Sequence, residues 1–361
     1  MIHVFLEQTS LKKGEVKRMS VKEIEVIGID LGAGTTKIAR VGNDGKLRSD
    51  IRVVETVKDP SVFMSDLKLN ISQLINEKVK AIGIGIPSWD GQNEVIQHSP
   101  NMPTYEGLAV RKELQDHFTN IIVAADNDAN VAADGERRFG DWQNGTLVAY
   151  TLGSGIGGGV ILYIKGKYVK WQGDTFKGAE LGHVSIPLPA DRESRICGCG
   201  NIDCMEAHAS ATAVRDEGAK MALAALSRGK KSLIFEKIKN DENIKPKLIT
   251  GEPLELVKYI EPIHVNLAAK DGDEIAIKLE DQTAQALAYG IRNVAQIFDP
   301  AIIVLAGAMR NWKSMIEKAK LTYKELLGVV PTTPVGISKL DNAGIVGSAA
   351  LAYESFFGDQ K

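Results

Sequence analysis

The chain has 361 residues, enough for two domains that each bury a core of their own. Its 44 lysine and arginine residues nearly balance 46 aspartate and glutamate residues, so a net charge of −2 gives no electrostatic argument for binding nucleic acid or an anionic membrane. No apolar run approaches the roughly 20 residues of a membrane-spanning helix, and the first residues do not resemble a signal peptide. We therefore expect a cytoplasmic protein without nucleic-acid or membrane partners.

Residues 1–23 precede the core of the first predicted strand and form a polar, basic segment. We interpret this segment as a solvated extension, with a nucleic-acid-binding arm as the alternative. Its basic residues are Lys12, Lys13, Lys17, Arg18 and Lys22.

Two strand–turn–strand units stand about a domain apart in the sequence. The first has β-branched strands over 23–30 and 35–41, and the second has strands over 147–151 and 160–164. The tips between the strands are rich in glycine: Gly32, Ala33 and Gly34 in the first unit, and Gly153, Ser154 and Gly155 in the second, within a run of glycines that ends at Gly159. The repetition indicates an internal duplication.

Glycine tips of this kind can bind phosphate. Because glycine lacks Cβ, its backbone can adopt positive φ and turn N–H groups toward an oxyanion, so two facing tips can hold the β- and γ-phosphates of a nucleotide. A tight hairpin explains the first tip equally well, whereas the glycine run of the second tip exceeds what a turn needs. The spacing fits neither the lysine-bearing P-loop nor the dinucleotide fingerprint, since a strand follows each tip.

An acidic segment follows the predicted buried strand over 121–125. Asp126, Asn127 and Asp128 come next, and alanines at helical spacing continue to about Arg138. Asp128 therefore lies at a strand-to-helix junction. From these residues alone, a helix N-cap at Asn127 or Asp128 is the simpler interpretation, and a catalytic carboxylate is the alternative.

All the cysteines of the chain lie in one short segment together with a histidine. His183 is followed by Cys197, Cys199 and Cys204. Three thiolates and one imidazole are a common ligand set for a structural, tetrahedral Zn²⁺, and an odd number of closely spaced cysteines argues against a disulfide framework. Three buried thiols are the alternative, but they do not explain why the chain has no other cysteine.

The C-terminal part is predicted to be helical around one buried strand. This strand, over 301–305, runs into the small residues Gly307 and Ala308, which can let an adenine ring lie on the backbone or let a helix pack closely on the sheet. Core helices are predicted over 280–298 and 342–350, and the last helix is expected to cross back to the first domain.

Several short motifs occur in one order along the chain. They are Asp30-Leu31-Gly32, Asn127-Asp128-Ala129-Asn130, the run 152–157, Glu180-x-Gly182-His183 and Cys197-x-Cys199-Gly200-x-x-x-Cys204-x-Glu206. Together they resemble the ROK family (repressor, open reading frame, kinase) of the hexokinase–actin-like superfamily, over roughly residues 24–357. The resemblance implies an α/β fold with two ribonuclease-H-like domains and a cleft between them, and ATP-dependent phosphorylation of a hexose or an N-acetylated amino sugar.

The resemblance also implies roles for individual residues. Asp128 would be the catalytic base, ATP with Mg²⁺ the phosphoryl donor, and Zn²⁺ a structural ion held by His183, Cys197, Cys199 and Cys204. The implied sugar contacts are Asn101, Asn127, Glu180, His183 and Glu206. The implied nucleotide contacts are Gly32, Ala33, Gly34, Gly153, Ser154, Gly155, Gly307 and Ala308. Two points stay open: Asn101 is equally well a turn residue between prolines, and polyphosphate is an alternative donor.

The chain departs from the family pattern at four positions. Gly34 and Ser154 stand where threonine is usual in the two tips, and Ser88 and Asp203 stand where glycine is usual. Ser154 retains a hydroxyl for a phosphate contact, whereas Gly34 leaves only backbone donors. We expect the loop 87–91 to form one wall of the cleft, and Asp203 to reshape the metal loop without removing a ligand.

The predicted first domain covers 24–138 together with the C-terminal helix at 345–361. The predicted second domain covers 139–344 and contains the zinc segment 183–204 and an insertion at about 226–265. A homodimer is common among relatives, and we expect one here.

The predicted function is phosphorylation of a hexose, with glucose as the first choice. A kinase of N-acetylglucosamine, N-acetylmannosamine or fructose is the alternative. A sugar-sensing transcription regulator of the same family would need a DNA-binding module, for which the residues before the first strand are too few. A sugar-binding protein without catalysis is disfavoured by Asp128 and the second glycine tip.

Overall fold

The computed structural model describes residues 24–97, 99, 101–142, 144–190 and 192–358, so the predicted N-terminal extension over 1–23 lies outside the described residues. The strands are β1 (Glu25–Leu31), β2 (Thr35–Gly42), β3 (Arg52–Glu55), β4 (Val79–Ile86), β5 (Trp89–Asp90), β6 (Val95–Ile96), β7 (Ile122–Asn127), β8 (Leu147–Leu152), β9 (Ile156–Ile164), β10 (Lys167–Lys170), β11 (Ile302–Ala306) and β12 (Val335–Ile337). The α-helices are α1 (Pro60–Ser72), α2 (Val110–His117), α3 (Asp128–Phe139), α4 (Glu206–Ala209), α5 (Ala211–Ser227), α6 (Leu233–Lys239), α7 (Pro253–Leu256), α8 (Pro262–Lys270), α9 (Glu274–Phe298), α10 (Lys313–Leu327) and α11 (Ala343–Phe357). Short 3-10 helices lie at Pro103–Tyr105, Leu181–His183, Lys245–Lys247, Val257–Tyr259 and Ala308–Asn311. Among the residues that the structure describes, no helix has both the length and the apolar character needed to cross a bilayer.

The first sheet is built around the buried strand β1. Its order is β3-β2-β1-β4-β7, with β2 antiparallel to β1 and β3, and with β4 and β7 running parallel to β1. The register pairs Asp30 with Gly85 and Gly85 with Asp126. Because the carboxyl ends of parallel strands meet at one edge of a sheet, Asp30 and the segment that begins at Asp126 lie at the same edge.

The second sheet repeats this arrangement. Its order is β10-β9-β8-β11-β12, again with two antiparallel pairs followed by two parallel pairs. Thr151 pairs with Ala306, so the second glycine tip and Gly307 follow neighbouring strand ends. The predicted fold class, α/β with two ribonuclease-H-like sheets, is confirmed, and both predicted hairpins form.

Helix α3 lies between the two sheets. It packs against β8 and β9 of the second sheet, against β4 and β7 of the first sheet, and most extensively against α11. Every residue from Ala129 to Glu136 is buried, because both sheets and α11 cover the helix. The helix that begins at Asp128 is therefore held by both halves of the molecule.

Helix α11 packs on the first sheet although it follows the second sheet in the sequence. Its apolar residues join a buried cluster with residues of β1, β2 and β4, including Val26 and Ala39. Two hydroxyl groups fix the helix on β1: Ser348 Oγ donates to the Ile29 carbonyl oxygen at 2.7 Å, and Tyr353 Oη donates to the Ile24 carbonyl oxygen at 2.8 Å.

The segment predicted as an insertion, 226–265, folds mainly into α6, α7 and the start of α8. Its residues Ile234, Phe235, Ile238 and Leu256 are buried in the same core as helices α9 and α10 and the second sheet. This segment is therefore an integral layer of the second half of the molecule.

Candidate active site

Asp128 is the first residue of α3, directly after strand β7. Asn127 is the N-cap: its side-chain oxygen accepts a hydrogen bond from the Ala129 N–H at 2.9 Å. Asp128 Oδ1 accepts from the same N–H at 2.8 Å. The capping position thus belongs to Asn127, and one oxygen of the Asp128 carboxylate has no such partner among the described residues.

The environment of Asp128 suits a proton acceptor. Part of the residue is exposed to solvent, yet desolvation of the carboxyl group by the surrounding protein raises its pKa to about 6. The Ala129 N–H opposes this rise, and the negative charges of Asp30 and Glu180 add to it. A carboxylate with this pKa is ionised at neutral pH and is a stronger base than an ordinary aspartate.

Asp30 belongs to this group, although sequence reasoning quoted it only as part of a motif. It is the penultimate residue of β1 and pairs across the hairpin with Lys37. Burial raises the pKa of its carboxyl group, and the charge of Lys37 acts against that rise. The Asp30 carboxylate also lies against the start of α11, where a Cβ on Gly344 would be 2.4 Å from Asp30 Cγ. The sequence feature that identifies Asp30 as a candidate is its position as an acidic residue at the end of a buried strand, just before a glycine tip.

Glu180, His183 and Glu206 are brought together at the second sheet. Burial raises the pKa of Glu180, with His183 lowering it and Glu206 raising it, so the three charges interact. Glu206 Oε2 accepts a hydrogen bond from the Ile156 N–H at 2.7 Å, which fixes its carboxylate beside the start of β9. Because Asp128 also interacts with Glu180, these predicted sugar contacts and the predicted base form one group.

Asn101 is a predicted sugar contact that the structure does not connect to this group. It is exposed in the turn that follows Ser99 and makes no hydrogen bond with the other candidates in the described part of the chain. The interpretation of Asn101 as a turn residue therefore stays open beside the sugar contact.

The four predicted zinc ligands converge. The ligand atoms of His183, Cys197, Cys199 and Cys204 all lie within 4.8 Å of one another, and no disulfide joins the cysteines. His183 Nδ1 is 3.5 Å from Cys197 Sγ, and Cys199 Sγ is 3.6 Å from Cys204 Sγ. A tetrahedral Zn²⁺ with bonds of about 2.3 Å to sulfur and about 2.0–2.1 Å to nitrogen separates its ligands by about 3.6–3.8 Å, so the residues fit the ion.

Two of the departures from the family pattern lie at positions with left-handed backbone. Ser88 and Asp203 have φ of 54° and 56°, a conformation that favours glycine. Asp203 is held there by its own side chain, because Oδ1 accepts from the Arg195 N–H at 2.7 Å and lies 2.9 Å from His208 Nε2. All four predicted ligands still converge next to this residue. Ala179, directly before Glu180, also has a positive φ, of 65°.

The glycines of the two tips do not adopt the positive φ that glycine allows. Gly32, Gly34, Gly153 and Gly155 all lie outside the left-handed region, whereas Gly307 has φ of 84°. In the second tip, the Gly153 N–H donates to the Gly155 carbonyl oxygen at 2.9 Å. A phosphate at these tips would therefore be bound by N–H groups of ordinary turn backbone.

The long glycine run also has a reason other than phosphate. Gly157 and Gly159 lie in β9 under α3, where an added Cβ would be 2.7 Å from Ala129 Cβ and 2.6 Å from Ala133 Cβ. Gly158, on the opposite face, would meet Leu181 at 2.5 Å. These glycines let the helix that carries Asp128 approach the second sheet closely. The glycines beyond those that a turn needs are therefore explained by packing.

The remaining nucleotide candidates lie beside the second tip. A Cβ on Gly307 would be 2.4 Å from the carbonyl oxygen of Leu152, the residue before Gly153. The Gly153 and Ser154 carbonyl oxygens accept hydrogen bonds from Ala211 and Thr212 at the start of α5, at 2.9 and 3.4 Å. The exposed Ser154 and Ala308 therefore border one surface at the ends of β8 and β11.

Two sheets of the same topology, with carboxylates at the edge of the first and a glycine tip at the edge of the second, define a protein of the sugar-kinase and actin-like ATPase fold. Solved structures have this fold: a ROK family glucokinase from Streptomyces griseus in complex with glucose and AMPPNP has 24% sequence identity and a TM-score of 0.72, with 91% of this chain and 99% of that chain covered. A ROK hexokinase from Thermus thermophilus has 25% identity and a TM-score of 0.71, with 92% and 99% covered.

The chain belongs to the ROK family, whose model matches residues 26–355. A glucokinase of Thermotoga maritima is 30% identical over 346 residues, covering 93% of this chain and 99% of that protein. Other relatives include a xylose repressor of Caldicellulosiruptor bescii, 25% identical over 90% of this chain and 77% of that protein, and an N-acetyl-D-glucosamine kinase of Citrobacter koseri, 25% identical over 90% and 98%. The predicted family is confirmed.

Proposed function

We propose that this protein is an ATP-dependent sugar kinase, with glucose as its preferred acceptor and Asp128 as the catalytic base. The observation that carries the proposal is the position of Asp128, at the start of a helix held by both sheets and within electrostatic reach of Asp30 and Glu180. The similarity to curated glucokinases over nearly the whole chain supports glucose as the acceptor.

In the proposed reaction, the bond between a sugar hydroxyl oxygen and the γ-phosphorus forms as the bond from that phosphorus to the β,γ-bridging oxygen breaks, and ADP leaves. The proton of the hydroxyl passes to the carboxylate of Asp128. Phosphoryl transfer has a loose transition state, so the base mainly aligns the hydroxyl and accepts its proton late. The raised pKa of Asp128, about 6, leaves the carboxylate ionised at neutral pH and makes proton transfer to it more favourable.

The proposed nucleotide site lies at the glycine tips and at Gly307 and Ala308. Backbone N–H groups at the tips would bind the phosphates, and the positive φ of Gly307 turns the chain sharply beside Leu152, which leaves a small-residue surface for the adenosine. Mg²⁺ supplied with ATP would neutralise charge on the phosphates. Its carboxylate environment would include Asp30.

The proposed sugar site combines Asn127, Glu180, His183 and Glu206. Because His183 Nδ1 faces Cys197, its Nε2 is the ring nitrogen left to face the sugar or a carboxylate. Zn²⁺ bound by His183 and the three cysteines would be structural, with all four positions filled by the protein. The metal segment would then fix His183 and Glu206 on one rigid support.

The decisive experiment is a coupled assay of ADP formation with a panel of acceptors. Glucose, fructose, N-acetylglucosamine and N-acetylmannosamine are each measured with ATP–Mg²⁺, and glucose is also measured with polyphosphate. We expect the largest kcat/KM for glucose with ATP. A larger value for an N-acetylated sugar would establish the alternative that the similarity to an N-acetyl-D-glucosamine kinase favours. If no acceptor supports turnover, the proposed kinase activity is wrong.

A cytoplasmic location and a homodimeric state stay predictions. Size-exclusion chromatography with light scattering tests the second directly, because a dimer would have twice the chain mass of 39.1 kDa.

A further inference from the structure

A buried ion cluster connects the two sheets next to the proposed base. Lys170 is the last residue of β10, at the edge of the second sheet, and its Nζ lies 2.8 Å from Asp126 Oδ2 and 2.5 Å from Asp134 Oδ2. The exposed fractions of these three side chains are 14%, 4% and 1%. One ammonium group thus bridges the end of β7 in the first sheet and the middle of α3.

Asp126 links Lys170 to the turn that carries Asp128. Its Oδ1 accepts hydrogen bonds from the Asn127 N–H at 2.7 Å and from Asn130 Nδ2 at 3.0 Å. Its Oδ2 accepts from Lys170 and from Gln172 Nε2 at 2.9 Å. The carboxylate two residues before the proposed base is therefore bound on one oxygen by its own turn and on the other by the second sheet.

We propose that Lys170 is a positioning residue for Asp128, which fixes the turn from Asp126 to Asp128 relative to the glycine tip of the second sheet. This inference rests on the proposed function, in which Asp128 is the base. It assigns Lys170 no contact with the sugar or the nucleotide. Its role is to hold the proton acceptor in line with a phosphoryl group bound on the other sheet.

The charge balance of the cluster explains why a lysine is required. Two buried carboxylates lie near each other, and without the ammonium group they would repel each other and leave Asp126 Oδ2 with only the neutral Gln172 amide as its partner on that side. Burial raises the pKa of Asp134 to about 7, with Lys170 acting against that rise. Burial also disfavours the charged form of Lys170, but Asp134 and Asp126 more than reverse this, so its pKa is raised and the ammonium stays charged.

A purely structural contact between the sheets does not need these ions. Buried ion pairs can be replaced by apolar residues of similar volume without loss of stability, and the glycines of β9 already allow close packing with α3. The cluster differs from such packing because hydrogen bonds to Asp126 have defined directions. They fix the orientation of the peptide that precedes Asp128.

Lys170→Met tests the proposal in the full-length, zinc-containing protein. Since a displacement of about 1 Å can lower a rate about 100-fold, we expect kcat to fall by about 10- to 100-fold. The dissociation constant for glucose, measured by isothermal titration calorimetry, should stay within about threefold, because Lys170 touches none of the sugar candidates and only Asn127 among them lies in the turn that it fixes. Lys170→Arg, which retains the charge, should recover at least part of the lost kcat.

Lys167→Met is the matched control, because it removes a lysine from the exposed end of the same strand. It should leave kcat unchanged. A Lys170→Met/Asp134→Asn variant also removes the buried like charge, so it folds more readily than the single variant and is measured in the same way. If neither Lys170→Met nor Lys170→Met/Asp134→Asn folds, Lys170 is required for folding and the proposal is overturned.

The outcomes separate this inference from the proposed function. If Asp128→Asn retains normal turnover, the assignment of the base is wrong, and the proposed positioning role of Lys170 is then wrong as well. If Asp128→Asn is inactive while Lys170→Met has a normal kcat, the base stands and only the positioning role is overturned. A loss of glucose affinity as large as the loss of kcat, or no recovery with arginine, would also overturn it.

Discussion

Replacing Asp128 by asparagine tests the assignment of the base most directly. Asparagine retains the size and one hydrogen-bonding oxygen of aspartate but does not accept the hydroxyl proton at neutral pH. With a pKa of about 6, about 97% of the Asp128 carboxyl groups are ionised at pH 7.5, so nearly the full contribution of the base is lost. General-base contributions are about 10²–10⁴-fold, and we expect kcat to fall by that factor while glucose binding persists.

The same pKa predicts the pH dependence of the native enzyme. The base acts when ionised, so kcat/KM should be half of its maximum at about pH 6. Below that pH it should fall about tenfold for each unit by which the pH is lowered. Thermal unfolding separates this effect from damage to the fold. The pKa of Asp128 in the folded protein lies above the ordinary value of 3.8, so between about pH 3.8 and pH 6 the folded protein binds more protons than the unfolded chain. The free energy of unfolding therefore decreases as pH rises through this range.

The ionised form of Asp128 is therefore a destabilising group at pH 7.5, and Asp128→Asn should raise the melting temperature slightly. Asp116→Asn, an exposed residue of α2 that pairs with Lys112, is the control and should change neither activity nor stability. An Asp128→Asn variant that keeps more than about a tenth of native turnover would refute the assignment, since that loss lies below the range of general-base catalysis. A pH profile whose acid limb has its midpoint near pH 4 would show that the pKa of Asp128 is not raised.

Three further predictions concern the metal segment and its surroundings. Metal analysis of the purified protein should find one zinc per chain, and Cys204→Ser should lose the metal and lower the melting temperature; zinc-free native protein contradicts this. Glu206→Gln should raise KM for glucose, because a neutral amide replaces the carboxylate held by the Ile156 N–H; unchanged KM and kcat would exclude Glu206 from the sugar site. Ala179→Gly should raise the free energy of unfolding by up to about 1 kcal/mol in urea denaturation, because glycine relieves a left-handed φ; a decrease would show that Ala179 is not strained.

The sequence was sufficient for features that depend on local pattern. The two hairpins, the strand-to-helix junction at Asp128 and the convergence of His183 with the cysteines follow from periodicity, chemistry of the residue types and the family resemblance. These features need few contacts distant in the sequence. For that reason they could be predicted without knowing how the two halves pack.

Features that depend on packing between distant segments were missed. The glycine run by itself suggests a phosphate contact, whereas Gly157 and Gly159 lie against Ala129 and Ala133 of α3. The sequence does not single out Lys170, because a lysine at the end of a short strand is usually solvated and its two carboxylate partners belong to β7 and α3. Burial of polar groups between elements far apart in sequence leaves no local pattern to recognise.

The position of α11 has a consequence for synthesis of the protein on the ribosome. Strands β1, β2, β4 and β7 emerge before residue 128, but the face of their sheet is covered only when residues 343–357 have been made. Until then, apolar residues such as Val26 and Ala39 have no helix against them, so the first half of the chain is exposed to aggregation while the second half is translated. A truncation before α11 should for this reason be insoluble, even though it would retain every candidate residue of the active site.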